Sequence, residues 1–190
     1  MNPPPALVVG LGNPGEKYAR TRHNVGFWFV ERLAQQHGML FSSKRNFYGD
    51  LAEIPGCRLL RPATFMNHSG RAVAAVARYY KILPPAIVIA HDEVDLPVGV
   101  VRLKFGGGEA GHNGLADITS ALGGRDYWRL RLGVGKPAAD LKTDTADYVL
   151  RVPAQAEMEM IDHAIVRSLA AWPASGDYQK AMLQLHTKEI

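Results

Sequence analysis

His23, His91 and His112 each stand in a polar stretch, and Asp92, Glu93 and Asp95 crowd directly behind His91. An imidazole titrates near neutral pH and can take a proton from water. A carboxylate on its other ring nitrogen fixes the tautomer and stabilises the imidazolium. Asp92 is better placed for that than Asp95, because it stands at the end of the buried strand, one residue past the apolar run Ile87-Val88-Ile89-Ala90. No His-Glu-x-x-His or other tight metal pair occurs, and Cys57 is the only cysteine, so no metal centre is expected. A Gly-x-Ser-x-Gly elbow is absent and Ser69 reads as a helix start, so a serine nucleophile is not expected either. What remains is histidine and carboxylate acting on water.

Three asparagines sit beside unusual neighbours: Asn13 before Pro14, Asn67 after Phe65-Met66, and Asn113 between His112 and Gly114. One such amide is commonly a turn or cap residue. Three of them on one rim would suit a polar neutral substrate such as a peptide, because an amide both donates and accepts. Arg102 with Lys104, and Arg129 with Arg131, are spaced two apart on strand-like segments. Each pair therefore shares a face and can aim charge at phosphates.

Gly10-Leu11-Gly12-Asn13-Pro14-Gly15 fits the G-x-G-x-x-G dinucleotide pattern and follows a strand. That motif requires a helix to start at the loop so that its amides meet a pyrophosphate. Here the apolar periodicity begins only at Val25, which counts against a dinucleotide oxidoreductase. A non-catalytic RNA-binding module is the other alternative, and the histidine–carboxylate pairing counts against it.

The elements that would carry these residues alternate along the chain. Ala6 to Val9 reads as a short buried strand. Val25, Trp28, Phe29 and Leu33 mark one face of a helix running to Gln36. Two strands, Phe47 to Ile54 and Arg58 to Leu60, are joined through Pro55-Gly56. A helix from Ser69 precedes the strand Ile87 to Ala90. Val100 to Phe105 is a strand, followed by the glycine-dense stretch 106–114 and a helix near Leu115 to Leu122. Arg129 to Val134 is the last strand. Lys136 to Asp144 is a polar loop expected to move. A long helix through Met158, Ile161, Ile165, Leu169 and Trp172, and a short one over Tyr178 to Leu185, close the chain. Mixed strands and helices without a repeat or a linker make a single α/β domain over residues 1–190.

The bulk numbers agree with that reading. The 190 residues are 47% apolar and 21% charged, as in an ordinary soluble domain with a real core. A net charge of +4 and a pI near 9.3 permit a polyanionic partner without demanding one. The lone cysteine fits a reducing compartment. The N-terminus lacks a basic leader pattern, and no apolar stretch nears the roughly 18 residues of a membrane span. A cytoplasmic protein without membrane contact is expected.

Five motifs then converge. Gly10 to Gly15 with Tyr18, Thr21-Arg22-His23-Asn24-Val25-Gly26, Thr64-Phe65-Met66-Asn67-His68-Ser69-Gly70, His91 to Pro97, and Gly111-His112-Asn113-Gly114 resemble, in order and spacing, those of bacterial-type peptidyl-tRNA hydrolases. The resemblance covers Leu7 to about Leu150 and extends more loosely through the C-terminal helices. It implies a monomeric α/β globule with a twisted mixed sheet flanked by helices, the segment from about 154 packing on it. It implies hydrolysis of the ester between peptide and tRNA, which frees tRNA for translation, with no cofactor and no metal. By matching position, His23 would be the general base, Asp92 its orienting partner and Asn13 the reader of the acylated amino group. Tyr18, Phe65, Asn67 and Asn113 would line the tRNA and peptide site, with Met66 and His112 as wall residues. Lys104 and Arg131 would clamp the tRNA 5′-phosphate.

The chain departs from the family pattern at Glu109, where a neutral or basic residue is usual. The stretch 123–126 is also one residue shorter than in some members. Lys136 and Lys142 receive no role.

Overall fold

The computed structural model describes residues 2–139 and 143–186. Seven strands form one sheet: β1 (Leu7–Gly10), β2 (Ser42–Lys44), β3 (Gly49–Ile54), β4 (Cys57–Pro62), β5 (Ile87–Glu93), β6 (Val101–Phe105) and β7 (Trp128–Gly133). Their order is β2-β3-β4-β1-β5-β7-β6. β4, β1, β5 and β7 are parallel; β3 and β6 run against their neighbours. Six helices accompany them: α1 (Val25–Gln36), α2 (Ser69–Tyr80), α3 (Asn113–Leu122), α4 (Thr145–Val149), α5 (Gln155–Ala170) and α6 (Tyr178–His186).

The sheet is buried on both faces, as parallel strands require. One face (Val8, Leu59, Val88, Ala90, Leu130) packs against Phe29 and Leu33 of α1, Ile161 and Ile165 of α5, and Tyr178 of α6. The other (Leu7, Val9, Leu60, Ile87, Ile89) packs against Val73 and Val76 of α2 and Leu115 and Ile118 of α3. Each fully buried Leu, Ile or Phe contributes about 1.5–3 kcal/mol. α1 has an amphipathic stripe and begins at Val25, as its periodicity requires. Cys57 is buried, and burial pushes its thiol up to about 12, so it stays an inert packing residue.

The glycines of the G-x-G-x-x-G segment serve packing. A side chain on Gly10 would collide with the carbonyl of Gly26, and one on Gly26 would collide with Ala90 of β5. The pair lets α1 lie directly on β1 and β5. Gly15, with φ of 101°, then turns the chain outward in a conformation that L side chains resist. Only the 3-10 turn Glu16–Tyr18 follows Gly15, and the first α-helix waits until Val25, so the dinucleotide reading fails on geometry.

Where the sequence reading and the structure differ, the cause is local. Ser42–Lys44 forms an edge strand whose three residues are all exposed and carry no apolar alternation. Phe47 belongs to a 3-10 turn rather than to β3. β5 continues through His91 and Asp92 to Glu93, so the acids lie within the strand end rather than after it. α4 is a single short turn that starts where the loop read over Lys136 to Asp144 ends, in a stretch given no element from sequence. Lys142 lies outside the described residues.

The chain passes from β1 outward to β4 and then crosses back, through α2, to β5 on the other side of β1. The crevice at the carboxyl ends of β1 and β5 is therefore the topological switch point where open α/β sheets bind ligands.

Candidate active site

A cleft of about 720 Å³ opens at that switch point. Asn13, His23, Phe65, Met66, Asn67, Asp92, His112 and Asn113 all border it, so eight residues from five separate segments meet there. Tyr18 stands outside the lining, edge-on to Phe65 at 6.2 Å. Lys104 and Arg131 also lie off the cleft, on β6 and β7.

Asp92 is the hub. Its Oδ2 accepts from Nδ1 of His23 at 2.9 Å, and its Oδ1 accepts from Nε2 of His112 at 2.8 Å. A carboxylate only accepts, so His23 carries its proton on Nδ1 and leaves Nε2 as a free base. His112 is fixed independently: as the N-cap of α3 its Nδ1 accepts the Leu115 N–H, which places its proton on Nε2. The second donor to Asp92 was not foreseen from sequence, because it depends on the α3 N-terminus meeting the end of β5.

Burial alone would push the Asp92 carboxyl up. The charges and hydrogen bonds of His23 and His112 outweigh it and hold the carboxyl well below the ordinary carboxylate range. For His23, burial lowers the imidazole, but the charge and hydrogen bond of Asp92 dominate and raise it above 6.5. His91 alternates with Asp92 along β5, yet it also borders the cleft, its ring 5.1 Å from that of His112. Burial first, and the neighbouring His112 second, keep it neutral down to about 3. His91 donates to the Asp92 carbonyl and has no Nε2 partner. It is therefore not the candidate base.

A ring nitrogen of His23, one of His112 and an Asp92 oxygen lie within 4.8 Å of one another, a spacing that metal ligands also use. Nδ1 of His23 and Nε2 of His112, however, serve as N–H donors to the carboxylate. The three groups satisfy one another as a hydrogen-bonded unit, and a cation would have to displace both protons.

The amide of Asn13 is locked. Its Oδ1 accepts the Met66 N–H at 2.7 Å, while its backbone N–H and carbonyl exchange hydrogen bonds with the Asn24 side chain, each at 2.9 Å. With Oδ1 engaged, Nδ2 remains as the donor on the cleft side. Asn24 thus holds Asn13 in place, a role visible in the sequence only as part of the Thr21 to Gly26 motif. Asn67 and Asn113 are exposed at the rim.

Arg22, immediately before His23, is buried and reaches the far wall. It donates to the carbonyls of Tyr148 and Arg151, pairs with Glu157 at 2.7 Å and lies 4.1 Å over the Tyr148 ring. These contacts fasten α4, whose Thr145, Ala146 and Val149 wall the cleft, to the turn bearing His23.

On β6 and β7 the register sets Arg102 opposite Arg131 and Lys104 opposite Arg129, so all four side chains share a face. They are not equally available. Arg129 is buried and donates to the carbonyls of Gly107 and Gly108. Arg131 donates to Glu93 at 2.9 Å. Lys104 is exposed. Glu109 is engaged as well: Arg125 grips it through two nitrogens and Thr119 donates to it, which holds its carboxyl at about 2. The unusual acid therefore pins the glycine loop to α3.

Comparisons with known proteins agree with one another. The family model described as peptidyl-tRNA hydrolase matches residues 7–190. The peptidyl-tRNA hydrolase of Nitrosospira multiformis is 51% identical over 189 residues, covering 96% of this chain and 98% of that one. That of Azoarcus sp. strain BH72 is 49% identical, covering 97% and 86%. The crystal structure of the Acinetobacter baumannii peptidyl-tRNA hydrolase superposes with a TM-score of 0.90 at 44% identity, covering 95% and 94%. Its Arg119Gln mutant gives 0.92 at 43%, covering 97% and 96%. By sequence along nearly its whole length, and by fold, the chain belongs to the peptidyl-tRNA hydrolase family.

Proposed function

We propose that this chain, as a member of that family, hydrolyses the ester joining a peptide to tRNA by attack of a water molecule that His23 deprotonates. The observation that carries the assignment is the His23–Asp92 pair, with Nδ1 bound to the carboxylate and Nε2 turned to the cleft. As water attacks the ester carbonyl, its proton passes to Nε2. Asp92 then stabilises the imidazolium, and the proton returns to the departing ribose oxygen. His112 acts through Asp92 as a second orienting donor.

Asn13 donates from Nδ2 toward the acylated end of the substrate, with its own carbonyl oxygen held by Met66. It reads an amide there and disfavours a free ammonium, which offers donors only. Phe65, Met66, Asn67 and Asn113 line the path of the peptide and the terminal nucleotides, and Tyr18 supports Phe65 from outside. Lys104 and Arg131 clamp the 5′-phosphate, with Arg131 partly engaged by Glu93. The enzyme acts as a monomer in the cytoplasm and uses neither metal nor cofactor.

The deciding assay incubates the protein with N-acetylated and with free aminoacyl-tRNA after treatment with a chelator. Hydrolysis of the blocked substrate alone is expected. Equal hydrolysis of both would remove the role of Asn13, and loss of turnover on chelation would remove the metal-free mechanism.

A further inference from the structure

The net charge of this molecule is concentrated at one side. Residues 41–91 hold seven lysines and arginines against two carboxylates, a balance of +5 that exceeds the +4 of the whole chain. Between Glu53 and Asp92 there is no acidic residue at all. The two acids of the segment are already engaged, Asp50 by Arg61 and Glu53 by Arg58. Lys44, Arg45, Arg71, Arg78 and Lys81 are exposed and form no ion pair among the described residues. A surface kept merely soluble interleaves both signs; this one does not.

These cations surround aromatic rings on the edge formed by β2, the 3-10 turn Arg45–Phe47 and α2. Phe47 meets Tyr79 at 5.2 Å and Tyr80 at 5.7 Å, and Arg71 lies 4.0 Å over Tyr48. Tyr79 is 70% exposed, with a ring open to solvent. Cations interleaved with exposed aromatic rings form the surface that takes phosphates along a strand and stacks its unpaired bases. The strip is continuous with the cleft. The Ala63 N–H donates to the Tyr48 carbonyl, two residues before Phe65 on the cleft rim. α2 starts beside Met66 and carries Arg71, Arg78 and Tyr79 away from the cleft over about 18 Å.

We infer that this β2–α2 edge is an RNA-docking surface for the tRNA portion of the substrate, with phosphates on Arg45, Arg71 and Arg78 and an unpaired base on Tyr79. The assignment rests on the proposed reaction for its choice of RNA. It places a second RNA-binding region on the edge opposite β6, about 29 Å away across six strand spacings.

The test titrates deacylated tRNA, at several salt concentrations, against the wild type, an Arg45→Ala/Arg78→Ala double variant and Tyr79→Ala. All three substituted side chains are exposed, and unchanged melting temperatures confirm intact folds. The double variant is expected to bind about tenfold more weakly. Its slope of log affinity against log salt should fall by roughly 1.4 to 1.8, about 0.7–0.9 for each phosphate no longer neutralised. Tyr79→Ala should bind about tenfold more weakly with little change in slope. Turnover of a peptide esterified to a single nucleotide should be unaffected in every variant. Unchanged tRNA affinity and slope would overturn the inference. So would weaker binding of an unstructured oligonucleotide with tRNA binding intact, or an equal loss on the single-nucleotide substrate. Because deacylated tRNA undergoes no reaction, the titration judges this surface even if the wild type released no peptide.

Discussion

The cleft and the β2–α2 edge hold their polar groups in opposite ways. In the cleft, Asp92 is 3% exposed and both of its oxygens are bound, Asn13 is 8% exposed with its carbonyl oxygen bound, and Arg22 reaches three partners. Along the edge, Arg45, Arg78 and Tyr79 face solvent. Buried polar groups that satisfy one another are oriented before substrate arrives, and in low dielectric their alignment acts on the transition state. Exposed cations act through a field that counterions screen within about 10 Å at 0.1 M salt. Changes in the cleft should therefore appear in kcat and be indifferent to salt. Changes at the edges should appear in KM and fade as salt rises.

The sharpest break of that contrast is His23→Ala. It is expected to lower kcat by about 10² to 10⁴ while tRNA affinity survives; near-normal turnover would end the assignment of the base. Asp92→Asn should cost less. Because Asp92 is what raises His23, and burial by itself lowers it, the acid limb of the pH–rate profile should move to lower pH in that variant. A limb that stays in place would argue against the pair.

Next in size is the β6–β7 edge, where the cations are partly engaged. Lys104→Ala should raise KM for tRNA substrates more than Arg131→Ala, since Glu93 already binds Arg131. Both effects should shrink as salt rises. Equal losses on a substrate lacking the tRNA body would remove the clamp.

The remaining effect concerns stability, not catalysis. His91 stays neutral in the fold down to about 3, whereas in the unfolded chain it takes up a proton near 6.5. Its contribution is present above pH 6.5 and is lost as pH falls toward 3, at up to about 1.4 kcal/mol per pH unit for one proton. His23 has the opposite sign: its raised imidazole contributes fully below pH 6.5, and that contribution is lost as pH rises through its folded value. His91→Asn should flatten the melting temperature between pH 6.5 and 3. An unchanged profile would mean that His91 is charged in the fold.

Much of this molecule was legible from residues alone where the pattern is local. Val25, Trp28, Phe29 and Leu33 announce α1 because burial against a sheet demands that spacing, and Ile87 to Ala90 announces β5 because both of its faces are covered. The edge strand Ser42–Lys44 was not legible, since an exposed three-residue strand has no apolar face to repeat. α4 was missed because one helical turn is too short to show a period. In the site, the residue types and motif order named His23, Asp92 and the three asparagines. The resemblance implied that Tyr18 lines the tRNA and peptide site; it lies off the cleft lining, edge-on to Phe65.

The order of apolar and polar residues determined the elements, the histidine–carboxylate chemistry and the excess positive charge, because each is a property of neighbours along the chain. Tertiary structure decided which groups meet. Asp92 faces His23 and His112 because β5 ends where α1 and α3 begin. Asn13 is oriented by Met66 and Asn24, which no spacing relates to it. Gly10 and Gly26 let the helix close on the strand. The G-x-G segment that reads as a phosphate cradle is, in the folded chain, the seat on which α1 holds His23 against Asp92.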